Sequence, residues 1–141
     1  MRQKLSIVTL GVSDLNRSRN FYQNGLGWAP SSASQDSIIF FDLGGVGLAL
    51  FPVDELAKDA AVSSERAGFP GITLAHNVKS AEEVDRVLQK AEQAGAKITK
   101  KAQKVFWGGY SGYFADPDGY LWEVAWNPFI EFDEKDALIF P

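Results

Sequence analysis

Few side chains in this chain can do chemistry, and Glu123 comes first among them. It sits in YLWEVAW, a carboxylate between apolar neighbours on what reads as a strand. Such a carboxylate can bind a cationic or hydroxylated group, or act as a base. Equally, it can be satisfied inside the fold by Thr73 or a tyrosine hydroxyl. Ahead of it, FWGGYSGYF mixes Phe106, Trp107, Tyr110 and Tyr113 with Gly108, Gly109 and Gly112. Glycine weakens a strand and lets other groups approach the backbone, so the segment suits a pocket rim that stacks on a flat ligand; a bent core strand is the alternative. His76 is the single histidine, and cysteine is absent. These two facts exclude disulfides, thiolate zinc sites, cysteine nucleophiles and any centre needing two imidazoles from one chain. They also leave His76 as the sole base for a Ser–His–Asp triad. No GxGxxG follows a strand, and neither a phosphate loop nor HExxH occurs.

The elements that position these residues come in two copies. Residues 5–51 read as strand, helix and a closing hairpin, and residues 71–126 repeat that order at an offset near 66. In the first copy, Ile7–Val12 form a strand and Asp14 caps a helix running to about Asn24, where Gly25 stops it. Leu15, Ser18, Phe21 and Tyr22 make its inner face. In the second, Ile72–Val78 form the strand, Ser80 and Glu83 a capping box, and Gly95 the stop. Gly44-Gly45 and Asp116-Pro117-Asp118-Gly119 are the hairpin turns, which makes Asp116 and Asp118 turn formers rather than catalytic groups. This pattern predicts an α+β fold: two tandem βαβββ modules whose curved mixed sheets surround a pocket, with helices on the outer face.

Strand alternation assigns the faces. Ile72, Leu74, His76 and Val78 point to the helix, which makes His76 a half-buried histidine bonded to backbone. Thr73, Ala75 and Asn77 point to the pocket, as do Ile7, Thr9 and Gly11 in the first module.

The chain has 141 residues, 14 Lys and Arg, 18 Asp and Glu, and a net charge of −4. The length suits one domain over 1–141: module one about 5–53, a linker about 54–70, module two about 71–128 and a tail 129–141. In the tail, Leu138-Ile139-Phe140 is expected to add a strand. The mild acidity argues against nucleic acid, and Lys97, Lys100, Lys101 and Lys104 read as a solvated edge. No apolar run reaches the ~18–20 residues of a membrane span. The N-terminal MRQKLSIVTLGVSD lacks the features of a signal peptide, so the expectation is a cytoplasmic protein without a membrane partner.

Two motifs carry a family resemblance. VSDLNRSRNFYQNGLGW (12–28) and FADPDGYLWEVAWNP (114–128) resemble the opening and closing motifs of the vicinal oxygen chelate superfamily, which includes glyoxalase I, bleomycin-resistance proteins and extradiol dioxygenases. The resemblance covers about residues 5–128. It implies metal-ligand positions at Ile7 and Thr73 on the first strands and at Ala49 and Glu123 on the last strands. Only Glu123 is a competent ligand, so no cofactor is expected; a divalent metal held by other groups is the alternative. The function implied is metal-independent small-molecule binding, as in the bleomycin-resistance branch. An aromatic or cationic ligand would be held by Thr9, Thr73, Trp107, Tyr110, Tyr113 and Glu123. The alternative is a glyoxalase-type lyase or isomerase, metal-dependent or using Glu123 as base. The resemblance further implies a homodimer.

Overall fold

Asp14 accepts a hydrogen bond from the Arg17 N–H at 2.9 Å, which turns the end of strand β1 (Ile7–Val12) into helix α1 (Leu15–Asn20). The computed structural model describes Met1, Gln3 and residues 5–139, so Phe140 of the expected last strand lies outside the described residues. The chain divides into two compact units, one ending at Pro70 and the other starting at Gly71.

In the first unit, α1 stops sooner than its apolar spacing predicts. From Phe21 to Gly25 the chain makes a π-helical turn, with the Leu26 N–H donating to the Phe21 carbonyl at 2.9 Å. The wider turn carries two consecutive aromatics inward, and Phe21 and Tyr22 are both fully buried. Tyr22, Trp28 and Phe41 pack ring against ring at 5.4–5.8 Å. The sheet orders β1, β3 (Gly47–Pro52) and β2 (Ile39–Asp42), with β1 parallel to β3 and β2 antiparallel. Gly44 and Gly45 make the β2–β3 turn at positive φ, as their dipeptide predicts. The fourth strand of this module is reduced to a single bridge between Pro30 and Phe41. A proline there cannot donate to a ladder, which limits the pairing.

Residues 54–70 are not a free linker. Helix α2 (Val53–Asp59) packs on β1 and β3, and the Arg66 guanidinium donates to the Gly11 carbonyl. A Cβ on Gly11 would meet Val53, Leu56 and Arg66 at 3.1–3.2 Å. Gly11 alternates with Leu10 and Val12, so α2 covers the sheet face that the repeat assigns to the pocket. The two module helices, α1 and α3, lie on the expected face, and α2 is an additional helix that the repeat does not predict.

The second unit has the full module. Ser80 caps helix α3 (Ala81–Gln93) by accepting from the Glu83 N–H at 3.2 Å, while Glu83 reaches back to the Lys79 N–H at 2.8 Å. At its other end Gly95, with φ +104, closes a Schellman turn in which the Ala96 N–H bonds the Ala91 carbonyl. The sheet orders β4 (Leu74–Val78), β7 (Leu121–Trp126), β6 (Tyr110–Ala115) and β5 (Lys97–Lys104), with only β4 and β7 parallel. Helix α3 packs chiefly over β5, β6 and β7, and on that face Phe114 and Trp122 stack at 6.2 Å. The tail forms its own hairpin, β8 (Glu131–Phe132) with β9 (Leu138–Ile139), rather than extending a sheet. Lys79 ties it down through Asp136 at 2.6 Å, with its ammonium 5.4 Å from the Phe132 ring centre. No described helix is long and apolar enough to cross a membrane.

Candidate functional site

Gly112 fixes which way the second sheet faces. A Cβ built there would lie 2.7 Å from Leu88 Cδ1 of α3, so residue 112 points at the helix. Its neighbour Tyr113 therefore points to the helix-free face. Tyr113 pairs with Glu123 on β7, and Glu123 pairs with Ala75 on β4. On the other side Tyr113 pairs with Lys100 of β5, whose ammonium lies 5.8 Å from the phenol ring centre. One row across the helix-free face thus reads Lys100, Tyr113, Glu123, Ala75.

Within this row Glu123 acts on Tyr113. Burial pushes the Tyr113 phenol pKa up, and the charge of Glu123 with a hydrogen bond to that carboxylate pushes it further. The neutral phenol is therefore the stable form against the carboxylate. A phenol donor, a carboxylate acceptor and an ammonium on one face can bind a polar group from two sides or pass a proton between neighbours.

The other expected site residues are placed as follows. Tyr110 stands on the helix side, where its hydroxyl donates to Asp85 at 3.0 Å; that bond raises its pKa first, with burial and the Asp85 charge adding. Trp107 folds back over Gly109, where an added Cβ would overlap its ring. The first half of FWGGYSGYF, Phe106–Gly109, is thus the tight turn joining β5 to β6, closed by Val105 N–H to the Gly109 carbonyl at 3.0 Å, and its second half, from Tyr110 on, is strand β6 rather than a loose rim. Phe106 is fully exposed at its tip. Thr73 is exposed and precedes β4, whose ladder begins only at Leu74 opposite Trp122. Gly71, at φ +76 after Pro70, keeps the chain irregular up to that point.

Thr9 lies on the row Phe40, Ala49, Thr9 of the first sheet, opposite the face that Phe41 turns to Tyr22. On the same face, Ile7, Asp42 and Gly47 line a shallow concavity of about 510 Å³ with Ser6 and Phe40. His76 shares the face of its ladder partner Val124, as alternation predicts; on edge strand β4, which α3 scarcely covers, it keeps an exposed surface while neighbouring atoms crowd its ring. Atoms crowding its ring lower its pKa, and the Asp136 and Glu83 charges partly restore it.

Lys100 is the residue of the row that the sequence conceals. Ile98 faces the helix with Phe114, so strict alternation would send Lys100 there as well. A register shift between Ile98 and Lys100 moves it to the face of Tyr113.

Residues 4–124 match the model of the glyoxalase/bleomycin resistance protein/dioxygenase superfamily. The chain belongs to that superfamily. Among curated relatives, the metallothiol transferase FosB of Lysinibacillus sphaericus is 30% identical over 121 residues, 86% of this chain and 80% of that protein. Among solved structures, a glyoxalase-related enzyme from Fulvimarina pelagi is 37% identical with a TM-score of 0.89, covering 98% of both chains. A lactoylglutathione lyase from Agrobacterium tumefaciens, 23% identical with a TM-score of 0.67 over 90% of this chain and 96% of that one, shares the fold.

The superfamily's metal chemistry needs donors. Of the four positions the resemblance marks, Ile7 and Ala49 carry hydrocarbon, and Ala49 is wholly buried. Thr73 offers a neutral hydroxyl, and Glu123 is already engaged with Tyr113. Among the described residues no three His, Cys, Asp or Glu side chains converge. A catalytic divalent ion usually takes about three protein ligands, so this donor set does not fit one.

Proposed function

We propose that this superfamily member binds a small molecule without a metal, holding it at the helix-free face of the second unit through Tyr113 and Glu123. The observation that carries this reading is the substitution of donors: hydrocarbon at Ile7 and Ala49, with the one remaining carboxylate paired to a phenol. A ligand with a flat body and a cationic or hydroxylated group fits best. The ring of Tyr113 offers stacking and cation–π contact, and the Glu123 carboxylate accepts the polar hydrogens. Within the first unit, Thr9 and the shallow concavity beside Ile7 form a separate candidate for small-molecule contact. The protein acts as a homodimer in the cytoplasm.

The Tyr113–Glu123 couple favours a second reading, a metal-free lyase or isomerase of the glyoxalase type. There Glu123 takes a proton from substrate carbon, and the Tyr113 hydroxyl hydrogen-bonds the charge that develops. The thiol transfer named for FosB is a third activity of this fold, and it would reach this chain only with a metal that its donors do not suit.

Two measurements decide among these. Elemental analysis after dialysis is expected to find no stoichiometric transition metal; a full equivalent of nickel, zinc, manganese or iron would sink the metal-free reading. A thermal-shift screen of flat amines and phenols is expected to yield a binder. At a hundredfold excess over Kd it adds ~2.7 kcal/mol to the stability of the native state. Glu123→Gln should abolish most of that gain while leaving the ligand-free Tm close to wild type. Turnover of a hemithioacetal by metal-free protein would favour the enzyme instead.

A further inference from the structure

Lys100 carries a charge that the fold itself does not use. It makes no salt bridge among the described residues, its side chain is exposed, and its ammonium leans over the Tyr113 ring rather than out along the sheet edge. Glu123 lies one strand beyond Tyr113 on the same face. The two charges therefore stand on strands two apart, about 9–10 Å at the backbone by ordinary strand spacing, with an aromatic ring between them. Lys79, another cation of this unit that lies over an aromatic ring, is already taken by Asp136 at 2.6 Å.

We propose that Lys100 reads an anionic group of the ligand, so that the natural ligand is bipolar: a carboxylate, or an anion of similar size, at one end and a cationic or hydroxylated group at the other. This rests on the proposed binding face and extends it. An acidic patch alone would select cations; a row with Lys100 at one end and Glu123 at the other selects by the distance between opposite charges. Single-ended ligands leave one of the two charges without its partner, so the selectivity comes from both ends together. Lys100 reaches this face only through the register shift after Ile98, which turns an edge-strand lysine of the usual protective kind into one aimed at the ring.

Three probes with a common ring test the proposal: 4-(aminomethyl)benzoate, with both charges, benzoate, with the anion only, and benzylamine, with the cation only. Binding is followed by NMR titration of the Tyr113 ring signals in the full chain. The two-ended probe should bind tightest. Lys100→Met should weaken 4-(aminomethyl)benzoate and benzoate by about fivefold or more, the loss of one charge-assisted contact, and leave benzylamine unchanged. Lys100→Arg should restore most of the loss. Equal weakening of all three probes by Lys100→Met, or of none, overturns the proposal while leaving the Glu123 site standing. Failure of Glu123→Gln to weaken benzylamine overturns the binding face itself. If no probe shifts the Tyr113 signals, both readings fall.

Discussion

Asp116 shows how one side chain can hold the frame of the site without touching a ligand. It is 4% exposed, and its Oδ1 accepts the N–H groups of Asp118 and Tyr120, both at 2.9 Å. Those bonds close the turn between β6 and β7, and so set the register that puts Tyr113 opposite Glu123. Asp116→Ala leaves two donors without their acceptor, one at the base of the turn, and should cost ~1–3 kcal/mol. Asp116→Asn retains an oxygen and should cost less. Urea unfolding measures both, and an Asp116→Ala midpoint equal to wild type would refute this role. The turn was legible because Asp-Pro-Asp-Gly states its own geometry: Pro117 presets φ and Gly119 takes φ +86. Glu123 and Tyr113 were legible for a related reason, since strict alternation runs unbroken through both of their strands. Tyr110 was not, because it shares a strand and a residue type with Tyr113 and differs only in parity. Its hydroxyl went to Asp85 on the helix, a partner 25 residues away that no local pattern announces.

Among the elements, β5 is the one whose behaviour decides the face. It meets β6 with two register shifts, and Gly112 lies between the pairs Lys100–Tyr113 and Gln103–Ser111 that flank the second. A Cβ at residue 112 would lie 2.9 Å from both the Ala102 nitrogen and the Lys100 carbonyl, as well as 2.7 Å from Leu88 Cδ1. Backbone cannot move aside as a flexible side chain can. Gly112→Ala should therefore destabilise by ~1–3 kcal/mol and displace β5 at Lys100. Its melting temperature should drop by several degrees, and benzoate binding should fall with it. A variant with wild-type Tm and wild-type benzoate affinity would mean that β5 yields freely at this point. The same shifts explain why the repeat predicted the order of elements well and their faces less well. Periodicity and caps are local, so Asp14, Ser80, Gly25 and Gly95 fixed the starts and stops. A bulge depends on contacts across the sheet, and the π-helical turn at Phe21–Gly25 depends on burying two adjacent aromatics, of which Tyr22 meets Phe41. Helix α2 escaped for a similar reason. Its charged, Ala-rich sequence resembles a linker, and only the small size of Gly11 on another strand makes room for it.

Taken over the whole chain, the titrating groups bound a window of pH in which the fold is most stable. His76 has a lowered pKa because neighbouring atoms strip water from its ring, outweighing the Asp136 and Glu83 charges. Between its folded value and 6.5 the unfolded chain therefore binds more protons, and stability is lost as pH falls through that range. Glu82, also lowered, chiefly by a backbone hydrogen bond, adds to this only below about 4.5. On the alkaline side the shifts are opposite in sign. Tyr113, Tyr110 and Lys79 all have raised values, so the folded chain keeps protons that the unfolded chain releases near 10.0–10.5. Their contribution is complete below that range and is lost above it, as pH climbs through the raised folded values. Stability should thus form a plateau from about pH 6.5 to about pH 10, with a falling limb at each end. The limbs have different owners, and single variants separate them. His76→Asn should flatten the acid limb between about pH 5 and 6.5, where Glu82 does not yet titrate, and leave the alkaline limb alone. Tyr113→Phe should soften the alkaline limb only, because a ring without a hydroxyl has no proton to lose beside Glu123. Urea midpoints across this range for wild type and both variants provide the measurement. An acid limb unchanged in His76→Asn would show that crowding around the imidazole does not govern its proton affinity.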